Sequence, residues 1–401
     1  MTEARASGAR YWILALVTLA QSGASIVQQG IGALAPFFSD AFSANATQIG
    51  FIFGALTCGA ALTTALAGVA VDAYGERRMI LFSGLLLGFA LIAAAALPAY
   101  AWLLICMCVA GVGYAASTPA GGRAILSWFA RDRGFAMGVR QMGVPLGGVV
   151  GALVLPPIAT HAGYRWALVA GGLVAGGTAI VAALWYRDAP GEKPGVRTLS
   201  NAFEALREVA RDPRIIYVTL TCMVLIVAQS SMLTFLPLTL VADGKLSLAA
   251  ASAALALAQV GAMAGRLAWG TLSDRLFGGD RIVPLMIACG LATLSAAATA
   301  ALPAGVPWLA FAVALVLGFA AAGWNGLFSA AQVEIGGKDR AGSALGVGLT
   351  GLFATGIVAP PLFGAVADAH GYTTAWNALA LFLLIGLVPA FFARRAMLRA
   401  C

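Results

Sequence analysis

Twelve stretches of mostly apolar residues follow one another along this chain, each near the ~20 residues that a helix needs to cross the hydrocarbon of a bilayer. They lie at 11–38, 46–72, 79–99, 101–129, 134–158, 164–186, 214–241, 247–273, 282–302, 305–333, 342–367 and 374–393. In hydrocarbon every backbone N–H and C=O must find a partner inside the protein, so each run is expected to form one helix. Composition agrees. Of 401 residues, 61% are hydrophobic and 10% charged, whereas a soluble domain carries about 25% charged residues. The first run is too long for a secretion signal and has no convincing cleavage site, so it is expected to be retained.

The polar stretch 187–213 holds Pro190, Gly191, Pro194 and Gly195 and divides the runs into two sets of six. The expected organisation is therefore 1–186, a linker over 187–213, and 214–401. An even number of spans puts both termini on one side. On that side fall Arg5, Arg10, Arg77, Arg78, Arg131, Arg133, the basic residues of the linker, Arg275, Arg281, Lys338, Arg340, Arg394, Arg395 and Arg399. Only Arg165 and Lys245 fall opposite. Positive charge collects in cytoplasmic loops, so the expectation is an inner (plasma) membrane protein with both termini cytoplasmic. The same placement accounts for the net charge of +8 without a nucleic-acid partner.

Six cysteines are scattered, five of them in apolar runs, and His161 and His370 lie far apart. That is the pattern of small buried hydrophobes, not of a disulfide framework or metal cluster. No cofactor is expected, and no nucleophile–base or metal constellation suggests an enzyme.

The two halves repeat. Gly68-x-x-x-Asp72 recurs as Gly270-x-x-x-Asp274, and Pro36 as Pro237. GVRQMG from Gly138 recurs as GVGLTG from Gly346. Pro156-Pro157, followed by His161, Gly163, Tyr164 and Trp166, matches Pro360-Pro361, His370, Gly371, Tyr372 and Trp376. Four matches in order at a nearly constant offset indicate a duplicated six-helix unit, a device that builds a site between related halves.

Three arginines lie inside spans. At 1.5 Å per residue, Arg266 sits roughly 12 Å from the basic edge, Arg123 roughly 12 Å and Arg140 roughly 10 Å. A guanidinium keeps its proton and costs at least ~2.5 kcal/mol in hydrocarbon. No Asp or Glu is expected at that depth, because Asp72, Asp274 and Glu334 fall at helix ends. The three are therefore expected to form a cationic layer in a wet cavity suited to a small anion. Span 1 presents Gln21, Ser25 and Gln28 on one helical face, with Gln29 alongside. Polar groups of a lipid-surrounded helix turn inward, where they line a path or bond a neighbouring helix. Gln229 in span 7, Trp324-Asn325 in span 10 and Tyr114 in span 4 are further candidates, either for the site or for core packing.

GVAVDAYGERR, from Gly68 to Arg78, resembles the Gly-x3-Asp-x2-Gly-x-Arg-Arg signature of the major facilitator superfamily, and GTLSDRLFGGDR, from Gly270 to Arg281, resembles its degenerate second copy. The resemblance covers essentially the whole chain. It implies an all-α membrane protein of twelve transmembrane helices in two pseudo-symmetric six-helix bundles, usually a monomer, rocking around a central site. Asp72, Gly68, Gly75, Arg77, Arg78, Asp274 and Arg275 then form the gating set. The glycines would allow close helix approach and a tight turn, and the two arginines would serve as latch or as anchors in the basic loops.

GRLAWGTLSD, from Gly265, resembles the span-8 arginine region of monocarboxylate and oxalate carriers, which makes Arg266 the expected carboxylate anchor. Oxalate carriers hold a second cation on span 11; here that position is Gly348 and its repeat partner is Arg140. Arg140 is thus either the displaced second charge or a structural latch, and Arg123 either a substrate contact or a bond to carbonyls near the gate. The Asp that precedes the arginine in proton-coupled monocarboxylate carriers is Ala262 here, which favours anion exchange or facilitated movement over proton symport. Thr64 in span 2 disfavours nitrate. GVPLGGVVG, from Gly143, resembles a motif of proton-coupled exporters and mostly suits tight helix packing. The reading is a secondary active transporter of a small organic anion, with an exporter of amphipathic drugs as the rival.

Overall fold

A computed structural model describes residues 3–129, 132–187 and 209–398. The linker expected over 187–213 lies largely outside them. Among the described residues thirteen helices are formed: α1 (Glu3–Phe42), α2 (Ala46–Tyr74), α3 (Glu76–Ala94), α4 (Tyr100–Trp128), α5 (Arg133–Ala162), α6 (Tyr164–Trp185), α7 (Pro213–Ala242), α8 (Leu248–Leu276), α9 (Ile282–Ala300), α10 (Pro307–Ala321), α11 (Asn325–His370), α12 (Tyr372–Ile385) and α13 (Leu387–Leu398). They supply twelve helical stretches long and apolar enough to cross a membrane. Span 10 is α10 with the start of α11, broken at Ala322–Trp324. Span 11 is the rest of α11 beyond a kink at Gly337 (φ 65°). Leu62, Phe89, Leu294 and Trp308 are each about 70% exposed, a surface that only hydrocarbon solvates.

Local chemistry sets the helix ends. Asp212 accepts the Arg214 N–H at 2.9 Å and caps α7, with Pro213 at its first position, where the missing donor costs nothing. Hydrogen bonds from the Arg214 side chain and backbone hold the Asp212 carboxyl below its ordinary value. The Ser247 hydroxyl accepts the Ala250 N–H and caps α8. Gly163 (φ 88°) joins α5 to α6, and Gly371 (φ 83°) joins α11 to α12 with nearly the same dihedrals. These are the glycines paired by the sequence repeat, and each takes a conformation that a side chain would strain.

The chain separates into two compact units, Met1–Ser43 with Ala55–Val196 and Ala44–Gly54 with Arg197–Cys401. In the first, α2 and α4 meet glycine to backbone: a Cβ at Gly59 would run into the Cys108 carbonyl, and one at Gly111 into that of Leu56. In the second, the repeat-related glycines of α8 and α10 do the same, Gly261 against Leu315 and Gly318 against Ala258. Gly143, Gly147 and Gly151 of α5 press on the α1 backbone at Thr18, Ser22 and Ile26, so the glycine motif of span 5 packs two helices. The core of the second unit includes Trp324, Phe328, Trp376 and the stacked pair Phe235–Phe363 (4.8 Å). Its first-turn guest, the start of α2, is capped there: the Asp368 carboxylate accepts the N–H groups of Ala46 (2.8 Å) and Thr47 (2.9 Å) and the Thr47 hydroxyl (2.6 Å).

Candidate functional site: one arginine within a span in each unit

In the first unit, α5 carries Arg140 into the interior, where it is 2% exposed. Its Nη1 donates to Gln21 Oε1 (3.1 Å) and its Nη2 to the neighbouring Gln141 Oε1 (3.2 Å). Its Nε is buried with no partner. Gln21 Oε1 also accepts from Ser117 Oγ of α4 (3.1 Å), and Gln21 Nε2 donates to Ser25 Oγ (3.4 Å). Tyr114 interacts electrostatically with the guanidinium. Gln21, Ser25, Tyr114 and Arg140 therefore come together across α1, α4 and α5. Gln28 does not join them; it accepts a bond from Gln29 instead. Among the described residues every oxygen bonded to Arg140 is neutral, so its full charge remains in a place where an ion without a counter-ion is costly.

The repeat position in the second unit shows why the cation has no twin. A Cβ on Gly348 would lie 2.7 Å from the Phe328 ring and 2.8 Å from Gln332 Nε2. That space is already filled, and Gln332 donates to Thr219 Oγ1 (2.9 Å).

Arg266 stands half-buried on α8. Beside it is the break in span 10. The Asn325 side-chain amide donates to the Ala322 carbonyl (3.1 Å) and to Gln229 Oε1 (3.3 Å), and Trp324 Nε1 to the Ala321 carbonyl (2.7 Å). Side chains thus replace ladder bonds lost where the helix unwinds. Gly323 and Gly265 abut backbone to backbone, and Gly326 faces the Arg266 carbonyl. The break leaves the N-terminus of α11 within span 10, about 18 Å from the Gly337 end, while Arg266 is about 15 Å from the end of α8. Interrupted helices whose N-termini face a cavity favour anions. Gln229 and Asn325 are thus joined across α7 and α11, and the backbone of Arg266 on α8 lies beside Gly326. Trp324, wholly buried, is core. Gly323 and the Asn325-Gly326 pair are the sequence's mark of this break.

Two expectations are corrected. A carboxylate does reach one of the buried arginines: Arg123 Nε pairs with Glu76 at 2.9 Å, and Arg123 Nη1 donates to the Val71 carbonyl (3.2 Å). Glu76 is 6% exposed, inside the signature itself, and its place in the first turn of α3 is what the folding of α3 onto α4 turns inward. Arg123 therefore ties the α2–α3 turn to α4 and does not belong to an unneutralised layer. Second, Gly68 serves no close approach, since a Cβ there meets nothing within 4 Å.

The other gating residues divide. Gly75 makes the tight turn with φ 81°. Arg77 Nε donates to the Ala183 carbonyl at the end of α6 (2.7 Å), and Arg78 is exposed. The Asp72 side chain lies outside the described residues. Asp274 pairs with Arg281, which also grips Glu334 (2.8 Å) and the Ser273 hydroxyl (3.0 Å). The Glu334 hydrogen bond, ahead of that from Asp274, holds the Arg281 guanidinium above its ordinary value. Arg275 is exposed at the end of α8, so Arg281, not Arg275, is the cation of this joint. Glu76 and Arg281 were not singled out from the sequence. The signal available was position, since both lie within the two copies of the signature.

Comparison with known proteins agrees with this architecture. The Major Facilitator Superfamily pattern matches residues 17–352. An uncharacterized MFS-type transporter of Mycobacterium tuberculosis is 30% identical over 400 residues, covering 95% of this chain and 85% of that one. The 3-(3-hydroxy-phenyl)propionate transporter of Escherichia coli is 28% identical, covering 93% and 92%. The Fujikurins efflux protein of Gibberella fujikuroi is 24% identical, covering 79% and 66%. A solved bacterial homolog to the human lysosomal transporter Spinster superposes with a TM-score of 0.75 at 19% identity, covering 98% of each chain, which shows the shared fold. The chain is a multi-pass membrane protein that belongs to the major facilitator superfamily of transporters.

Proposed function

We propose that this protein is a secondary active transporter of a small organic anion, a mono- or dicarboxylate, working by alternating access and anion exchange. The observation that carries the reading is Arg140, a fully buried guanidinium bonded, among the described residues, only to neutral oxygens. An anion that approaches it relieves an electrostatic cost, whereas a cationic drug adds to it. Arg266, half-buried beside the break in span 10, is the anchor of the carboxylate, with Gln229, Asn325 and the α11 N-terminus as neutral donors and dipoles. Gln21, Ser25 and Tyr114 serve Arg140. Arg123 moves from this set to the gate. The similarity to a hydroxyphenylpropionate transporter supports a carboxylate. The ring of basic loops supports an inner membrane with both termini cytoplasmic, and the protein is proposed to act as a monomer in the bilayer with no cofactor.

The test is thermal stabilisation of the purified protein across a panel of small anions and amphipathic cations. A ligand that binds only the folded state raises stability by RT ln(1 + [L]/Kd). A carboxylate is expected to stabilise the native protein and to lose that effect in both Arg266→Gln and Arg140→Gln. Stabilisation by hydrophobic cations alone would replace this reading with export of amphipathic compounds, which the similarity to an efflux protein favours.

A further inference from the structure

A groove of about 600 Å³ runs along the first unit between α1, α5 and α6, away from the Arg140 cluster. Its lining includes Leu19 and Ile26 of α1, Leu146 and Val150 of α5, and Val174 of α6. Besides that of Tyr11 at one end, three hydroxyls share the wall, and each gives its proton to its own helix: Thr18 to the Leu14 carbonyl, Ser22 to that of Thr18, and Thr178 to that of Val174. Beyond the Tyr11 end these hydroxyls have no proton left for a water-soluble solute, so the groove suits hydrocarbon. From Tyr11 to Ile26 it follows α1 for about 22 Å, more than the ~15 Å depth of one leaflet. A whole acyl chain therefore fits along it.

The end of the groove at Tyr11 carries a cation. Arg10 lies over the Tyr11 ring (4.9 Å) and the Phe129 ring (5.6 Å), and its Nη2 donates to the Tyr11 hydroxyl (3.3 Å). Two rings thus orient the guanidinium beside Tyr11. Trp12 and Trp185, in edge contact at 6.5 Å and both more than half exposed, stand at the same level. Such aromatic side chains prefer the headgroup region. A basic residue at the headgroup level and an apolar channel one leaflet long together match one molecule, a lipid with net negative charge.

We propose that this groove is a binding site for an anionic glycerophospholipid of the leaflet on the basic face, one acyl chain lying between α5 and α6 and the phosphate resting on Arg10. Zwitterionic lipids enter the same channel, but their own cationic headgroup opposes Arg10.

The experiment offers delipidated protein equal amounts of phosphatidylglycerol and phosphatidylcholine with identical acyl chains and counts retained lipid by native mass spectrometry. The expected result is one phosphatidylglycerol kept over phosphatidylcholine by about fivefold, the contribution of one interfacial arginine. Arg10→Gln is expected to level the two lipids, Arg10→Lys to keep the preference, and Val150→Trp to reduce retention of both by filling the channel. Leu146→Phe provides a second channel block if the tryptophan variant unfolds. Equal retention by the unaltered protein, an unchanged ratio in Arg10→Gln, or undiminished binding with the channel filled would each overturn the proposal.

Discussion

Arg123 and Arg140 read alike in the sequence, each a lone cation in an apolar run, and their surroundings give them opposite roles. Glu76 folds in from the start of α3 to meet Arg123, whereas Arg140 receives only carboxamide oxygens. The distinction was not legible because the partner of Arg123 comes from another helix, through a turn that Gly75 makes possible. Glu76→Gln should leave that guanidinium without its charged acceptor and lower stability by about 1–3 kcal/mol. The double variant Glu76→Gln with Arg123→Gln should cost less than the two single losses combined, read as midpoints of thermal or denaturant unfolding. Strict additivity would mean that the two groups do not interact.

Among helices, glycine spacing carries most of the packing. Gly59 and Gly111 in one unit, and Gly261 and Gly318 in the other, bring backbones together where no Cβ fits. Gly68, four residues before Asp72 in the signature, has open space around it. Gly59→Ala should therefore destabilise by about 1–3 kcal/mol through overpacking. Gly68→Ala should be neutral or stabilising by up to about 1 kcal/mol, because alanine is the better helix former. If both variants unfold at the same temperature, the reading of these contacts is wrong. The break in span 10 is the opposite kind of feature. Gly323 and Asn325-Gly326 interrupt the apolar run, and the approach of Gly265 to Gly323, with Asn325 turned back on the Ala322 carbonyl, shows that the ladder opens there.

Taken whole, the molecule repeats one plan with altered charges. In the first unit an acid on the first turn of α3 meets a base on α4, Glu76 with Arg123; in the second a base ahead of α9 meets an acid in span 10, Arg281 with Glu334. The joint is kept while its signs are exchanged. With no acid singled out in the middle of any span, the proposed cycle has no dedicated proton carrier. Proteoliposomes preloaded with the transported anion should thus take up labelled anion faster than empty ones, and a pH gradient alone should drive little uptake. Proton-driven accumulation into empty vesicles would contradict exchange. The helices and the number of spans were readable from residues alone, because hydrocarbon leaves the backbone no choice but a helix for each apolar run. Which arginine keeps its charge unneutralised, which glycine touches a neighbour and where a span unwinds depend on side chains brought together from distant segments. Sequence periodicity carries no record of those distances, so only the packed helices could assign them.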